Sequence, residues 1–177
     1  DNTSVPPSQG GNQSDIGAFE IDQCGGTIVT NTNDSGAGSL RCAISSALDG
    51  QTISFDPVFF ATARTISLLS TLAVEKSLTI DGPGANLLTI SPTPQVRVFS
   101  VGVTNPQIEV TFKGVTIAGG ISIITQQNSN PWGGGIYYAG TGGLTILEST
   151  VRNCRATTDT NVVDAMGGGI YASSGGT

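Results

Sequence analysis

Several kinds of residue are scarce or missing in this chain, and each shortage removes a class of function. There is no histidine, and only 11% of the 177 residues are charged. A nucleophile–histidine–carboxylate triad therefore cannot be assembled. The three cysteines, Cys24, Cys42 and Cys154, come without a histidine partner and do not have zinc-ligand spacing. Seven basic residues are scattered along a chain of net charge −6, so no basic stripe exists to hold a phosphate backbone, and nucleic acid is excluded as a partner. No apolar run approaches the roughly 18 residues of a membrane span. The N-terminus carries no basic-plus-apolar signal segment; either a leader has been removed or the chain is part of something longer.

What is abundant is glycine, with 25 residues, and apolar residues at 37%, gathered in β-branched clusters. A chain this low in charge reads as disordered only when apolar residues are few. Two copies of Gly-Gly-Gly-Ile-Tyr stand at Gly133–Tyr137 and Gly167–Tyr171. Short runs of one type also recur: Leu78-Thr79-Ile80, Leu88-Thr89-Ile90, Val115-Thr116-Ile117 and Leu144-Thr145-Ile146. Repetition of this kind marks units that bury their apolar side by stacking on a neighbour. Thr and Ser alternating with Ile and Leu predict strands with one face in a core and one in water, and glycine triplets suit corners where a β-carbon would clash. The expectation is an all-β right-handed parallel β-helix, a β-solenoid. An antiparallel sandwich is the competing arrangement, disfavoured by the scarcity of hairpin dipeptides.

Along the chain, residues 1–22 read as linker, with Ile16 and Phe19 able to anchor on an apolar surface. Residues 23–50 hold a strand over Thr27–Thr32 and one short capping helix. Ser39 is its N-cap; Leu40, Ala43, Ile44, Ala47 and Leu48 fall on one face, and Asp49-Gly50 ends it. Laid across the first coil, such a helix would cover open strand edges and core. Residues 51–177 form the coils. Strands are expected at Thr52–Phe55, Thr65–Leu69, Leu78–Asp81, Leu88–Ser91, Val96–Val101, Gln107–Phe112, Val115–Ala118, Gly133–Tyr138, Gly143–Glu148, Ser149–Val151 and Gly167–Ala172, with loops over 119–132 and 155–165. Tyr137 and Tyr171 would stack on successive coils.

Cys24 and Cys42 allow two readings, a disulfide or two buried thiols; a secreted chain favours the disulfide. Cys154 reads as a small buried hydrophobe. Asp159 and Asp164 share a loop with Arg152 and Arg155 nearby, and surface charge explains them better than catalysis. Asp81, in an Asp-Gly-Pro-Gly turn, is expected to bond nearby backbone. No metal or cofactor is expected. Trp132 and Tyr138 are the candidates for stacking on a sugar ring, with Tyr137 and Tyr171 on the same flank. Asn2, Asn12 and Asn33 open Asn-X-Ser/Thr triplets that would accept glycans on an exported protein.

Ile28 to Arg41 (Ile-Val-Thr-Asn-Thr-Asn-Asp-Ser-Gly-Ala-Gly-Ser-Leu-Arg), Ile44, Asp49 to Ile53 and Leu78 to Gly84 together resemble the opening of secreted bacterial right-handed parallel β-helix proteins. These are choice-of-anchor-type surface proteins akin to polymorphic outer-membrane-protein repeats. Ser14 to Glu20 resembles the segment that closes such domains, here placed first. The resemblance implies an extracellular or cell-surface structural module of a fibre or adhesin. The uncapped last repeat allows three readings: tandem modules of a longer chain, head-to-tail association with residues 1–22 as the strap, or truncation of a single large domain. The alternative is a carbohydrate-binding or polysaccharide-degrading β-helix protein whose active coils lie outside this chain.

Overall fold

The computed structural model describes residues 24–124, 132–158 and 166–173. Among the described residues the fold is all-β, mostly strands with one short α-helix. In chain order the elements are β1 (Ile28–Val29), α1 (Leu40–Ser46), β2 (Gln51–Phe55), a 3-10 turn at Phe59–Ala61, β3 (Arg64–Leu68), β4 (Leu72–Val74) and β5 (Leu78–Asp81). They continue with β6 (Leu88–Pro92), β7 (Phe99–Val101), β8 (Glu109–Lys113), β9 (Thr116–Ala118) and β10 (Ile121–Ile124). The last are β11 (Ile136–Tyr138), β12 (Gly143–Leu147), β13 (Thr150–Arg152), β14 (Arg155–Thr158) and β15 (Ile170–Ala172).

Three sheets, β1-β2-β5-β8-β12, β3-β6-β9-β13 and β4-β7-β11-β15, are joined by a small fourth, β10-β14. Every pairing is parallel, which rules out the antiparallel sandwich. The chain visits the three larger sheets in the same rotation on each circuit, β2-β3-β4, then β5-β6-β7, then β8-β9-β11, then β12-β13-β15.

Register makes the core continuous. Ile53, Ile80, Phe112 and Ile146 succeed one another on the first sheet. Ile66, Ile90, Ile117 and Val151 do so on the second. Leu72, Phe99, Ile136 and Ile170 do so on the third. Because side chains alternate across a strand, the residues between these point outward, and Thr52, Thr79, Thr111 and Thr145 form one outer row. Within the core, Phe99 and Phe112 pack at 4.7 Å between ring centroids.

Several expectations are corrected. The first strand stops at Val29, because the Thr30 and Asn31 amides both donate to the Gly38 carbonyl and turn the chain into a loop. The helix ends at Ser46 with Ala47 as its C-cap, short of Asp49-Gly50. Leu48 is no part of its apolar face: it lies past the end, 69% exposed. The Lys76 ammonium takes the Ser45 and Ala47 carbonyls, both at 2.7 Å, and so satisfies the helix end early. No helix stands at the start of the described chain, since β1 precedes α1. β4 was not anticipated, and β10 and β14 occupy segments expected to be loop. Asp81 bonds across the sheet rather than to its own turn: it pairs with Lys113, its register partner, at 3.2 Å.

Candidate functional site

At the side of the molecule where the circuits begin, Ser39 caps α1, its hydroxyl oxygen accepting from the Cys42 amide at 3.2 Å. Leu40, Ala43, Ile44 and Ala47 are buried. Cys42, in the first turn of α1, forms a disulfide with Cys24 (Cα–Cα 5.0 Å), tying the helix to the chain just ahead of β1.

Arg41 does more than the sequence suggested. Its Nη1 donates to the Thr71 carbonyl at 3.0 Å and its Nη2 to the Ser70 carbonyl at 2.8 Å, at the corner between β3 and β4. Nη2 also meets Asp34 Oδ1 at 2.8 Å, and the same oxygen accepts from the Leu69 amide at 2.9 Å. Burial works to raise the Asp34 pKa, but the Arg41 hydrogen bond, the Leu69 amide and the Arg41 charge outweigh it and hold the carboxyl below its usual value. Between α1 and β4 lies a cleft of about 310 Å³ lined by Arg41, Ile44, Leu72, Glu75 and Lys76. Its charges are already engaged. Arg41 and Lys76 hold backbone carbonyls, and the Glu75 carboxylate accepts the amides of Val103, Thr104 and Asn105.

The other end is different in kind. Trp132, Tyr137 and Tyr171 form a stack: Trp132 and Tyr171 lie 4.6 Å apart at 15°, and Tyr137 and Tyr171 5.9 Å apart at 12°. Tyr137 and Tyr171 are register partners on β11 and β15, so the rings pile up from circuit to circuit. The Arg97 guanidinium lies 4.7 Å from the Tyr137 ring centre and closes the pile from below. It is held there by the carbonyls of Trp132 (2.6 Å) and Gly133 (2.8 Å) and the Ser122 hydroxyl (3.1 Å). Burial lowers the Arg97 pKa, with Tyr137 acting in the opposite sense.

This arrangement changes the reading of both sugar-stacking candidates. Trp132, half-buried, lays one ring face on Tyr171. Tyr138 faces the core, 6% exposed, because it follows Tyr137 on β11 and therefore points the opposite way. Its hydroxyl donates to the Ile108 carbonyl at 3.3 Å. Burial raises its pKa, the Glu109 charge adds to this, and backbone hydrogen bonds at Gly142 and Gly143 oppose it.

Beside the stack, the two glycine triplets bond to one another. The Gly133 amide donates to the Met166 carbonyl, Gly134 to Gly168, and Gly135 and Ile136 both to Gly169, at 2.9–3.3 Å. The amides of Gly167, Gly168 and Gly169 donate to no other described residue. The core-facing row also opens here: Ile136 is fully buried, whereas Ile170 above it is 38% exposed.

The remaining candidates do not converge. Cys154 is a half-buried thiol, 3.3 Å from the Arg152 carbonyl, and burial raises its pKa. Asn33 is exposed on its loop, as are Arg152 and Arg155 on their strands. Asn2, Asn12, Ile16, Phe19, Asp159, Asp164 and the whole of the expected strap 1–22 lie outside the described residues. Among the described residues no three His, Cys, Asp or Glu side chains gather as metal ligands would. Reasoning from sequence overlooked Asp34, Arg41 and Arg97, each of which acts on a backbone 29 to 36 positions away where local patterns carry no signal. Comparison with protein families, with curated proteins and with solved structures finds no match.

Proposed function

We propose that this chain is a structural module of an extracellular fibre or long cell-surface protein, built as a right-handed parallel β-helix. In this reading the four circuits are its coils. The observation that carries it is the contrast between the two ends. At the first coil, Arg41 occupies the Ser70 and Thr71 carbonyls; their register equivalents on the next coil, the Arg97 and Val98 carbonyls, accept the Thr71 hydroxyl and the Leu72 amide from the coil before. At the last coil, glycine amides and core side chains stand free among the described residues. A module sealed at one side and open at the other lengthens in one direction.

This bears on how such modules would join. Head-to-tail association by strand pairing needs carbonyls at the first coil that Arg41 already fills, so coils added at the β12–β13–β15 side are the favoured route to length. The disulfide supports an oxidising, extracellular setting, in keeping with the resemblance to secreted bacterial β-helix proteins. The test combines two measurements on native material. Alkylation followed by mass spectrometry should leave Cys24 and Cys42 unlabelled, and negative-stain electron microscopy should show rods of constant width projecting from the cell. Labelled Cys24 and Cys42 in compact intracellular particles would sink the reading.

A further inference from the structure

The two glycine triplets are identical in sequence and stacked in register, yet the last glycine of the second, Gly169, is not explained by the packing of the described residues. A β-carbon on Gly135 would lie 2.6 Å from the Gly169 carbonyl oxygen and 3.1 Å from the Cys154 sulfur, so the coil above forbids any larger residue there. A β-carbon on Gly169 would meet only a Val151 methyl, at an ordinary 3.5 Å, and its backbone is not in the left-handed region. Nothing in the described structure requires glycine at 169. The requirement appears once a further backbone lies over Gly169 as Gly169 lies over Gly135.

The hydrogen-bond pattern agrees independently. Gly133, Gly134, Gly135 and Ile136 all send their amides upward to Met166, Gly168 and Gly169. Their equivalents Gly167, Gly168 and Gly169 present amides in the same direction without a described acceptor. Gly167 repeats the left-handed conformation of Gly133, φ +56° against +57°, so the corner is already shaped to repeat. Beside it, Ile170 is part-exposed at the position where Ile136 is fully buried, and Met166 and Leu147 are also exposed.

We infer that the Gly167–Tyr171 edge is a docking site for one more backbone of the same chemistry: a Gly-Gly-Gly-Ile-aromatic coil laid parallel on β15. Its carbonyls would accept the amides of Gly167, Gly168 and Gly169, its isoleucine would cover Ile170, and its aromatic ring would stack on Tyr171. Main-chain bonds would supply attachment, and the glycine triplet would supply selectivity, because a side chain on the upper face of either corner would prevent the approach. A second copy of this same edge is a poor occupant, because its Gly168 and Gly169 carbonyls are already taken by the Gly134, Gly135 and Ile136 amides. The inference rests on the β-helix reading.

The experiment uses the full chain and a version in which a copy of residues 140–173 is inserted after Ser173, preserving the register. Amide exchange should slow at least tenfold at Gly168 and Gly169 of the first copy when the extra coil is present. Gly169→Ala should leave the melting temperature of the unextended chain within about 1 °C while abolishing that slowing; Gly135→Ala should cost about 4–8 °C. Unchanged exchange on extension overturns the inference, as does a Gly169→Ala penalty equal to that of Gly135→Ala. Concentration-dependent dimerisation of the unextended chain with protection at Gly168 and Gly169 also overturns it, in favour of a second copy. Fast exchange at Gly134 and Gly135 in the unextended chain would instead mean that the β-helix reading itself has failed.

Discussion

Arg41 Nη1 lies 3.0 Å from the carbonyl oxygen of Thr71, at the corner where later circuits receive backbone amides from the circuit before them. One guanidinium thus stands in for two donors, an amide and a hydroxyl on the next circuit, since its other nitrogen takes Ser70. An uncovered strand edge is a template for unwanted pairing. A planar five-donor fork can satisfy two carbonyls and a carboxylate together, whereas an ammonium is a single point.

Arg41→Ala should therefore cost about 2 kcal/mol, from lost charge-assisted bonds and an unpaired Asp34. Arg41→Lys should recover less than half of it. Urea denaturation of the three proteins tests this. The alanine variant should also aggregate faster, as followed by light scattering, because the Ser70–Thr71 edge is open. A stability equal to the parent's would show that water replaces the guanidinium without loss.

Asp34 gives the same corner a pH dependence. Its folded pKa is depressed below 3.8, so its contribution is full above the unfolded value and is lost as pH falls through the folded one. Thermal stability measured from pH 6 down to pH 2 should fall below about pH 4, and Asp34→Asn should flatten that part of the curve. A parent and variant with parallel acid limbs would assign the loss to other carboxylates.

The disulfide Cys24–Cys42 spans a sequence separation of 18, which the chain-entropy model values at about 3 kcal/mol. For a chain of this size, reduction should lower the melting temperature by about 6–12 °C. Cys24→Ser should reproduce the shift and be insensitive to dithiothreitol. Proteolysis should then begin between Cys24 and Gly38, the loop that the bridge holds against α1.

The strands were legible where a Leu-Thr-Ile triplet alternates inward and outward, since period two with Thr on the wet face leaves little choice. β4 was missed because Leu72-Ala73-Val74 has no polar residue between its apolar ones. β10 and β14 were missed because each lies in a stretch dominated by Gly, Gln, Asn or Thr, where local propensity favours loop. They become strands by pairing with each other, a relation between segments and not a property of either. The two ends were legible only in part. Ser39 and the apolar face of α1 follow from local spacing, but the role of Arg41 depends on a corner about thirty positions away. Tyr138 was misplaced by parity: one step along β11 separates the outer stack from the core.

That single step can be read spectroscopically. Tyr138 is buried with a raised pKa, and its hydroxyl is bonded to the Ile108 carbonyl. A group whose folded pKa lies above its unfolded value stabilises below the unfolded value and loses that contribution as pH rises through the folded one. Stability should therefore decline above about pH 10, and ultraviolet titration should show one phenol ionising late. Tyr138→Phe should remove the late phase and cost about 1 kcal/mol or less, since the Ile108 carbonyl loses the phenol but keeps the Gly143 amide as a donor. Trp132→Ala should keep the late phase while altering the fluorescence and near-ultraviolet dichroism of the outer stack. Loss of the late phase in Trp132→Ala, with Tyr138→Phe unchanged from the parent, would place the buried phenol in the stack and reverse the assignment of the two faces of β11.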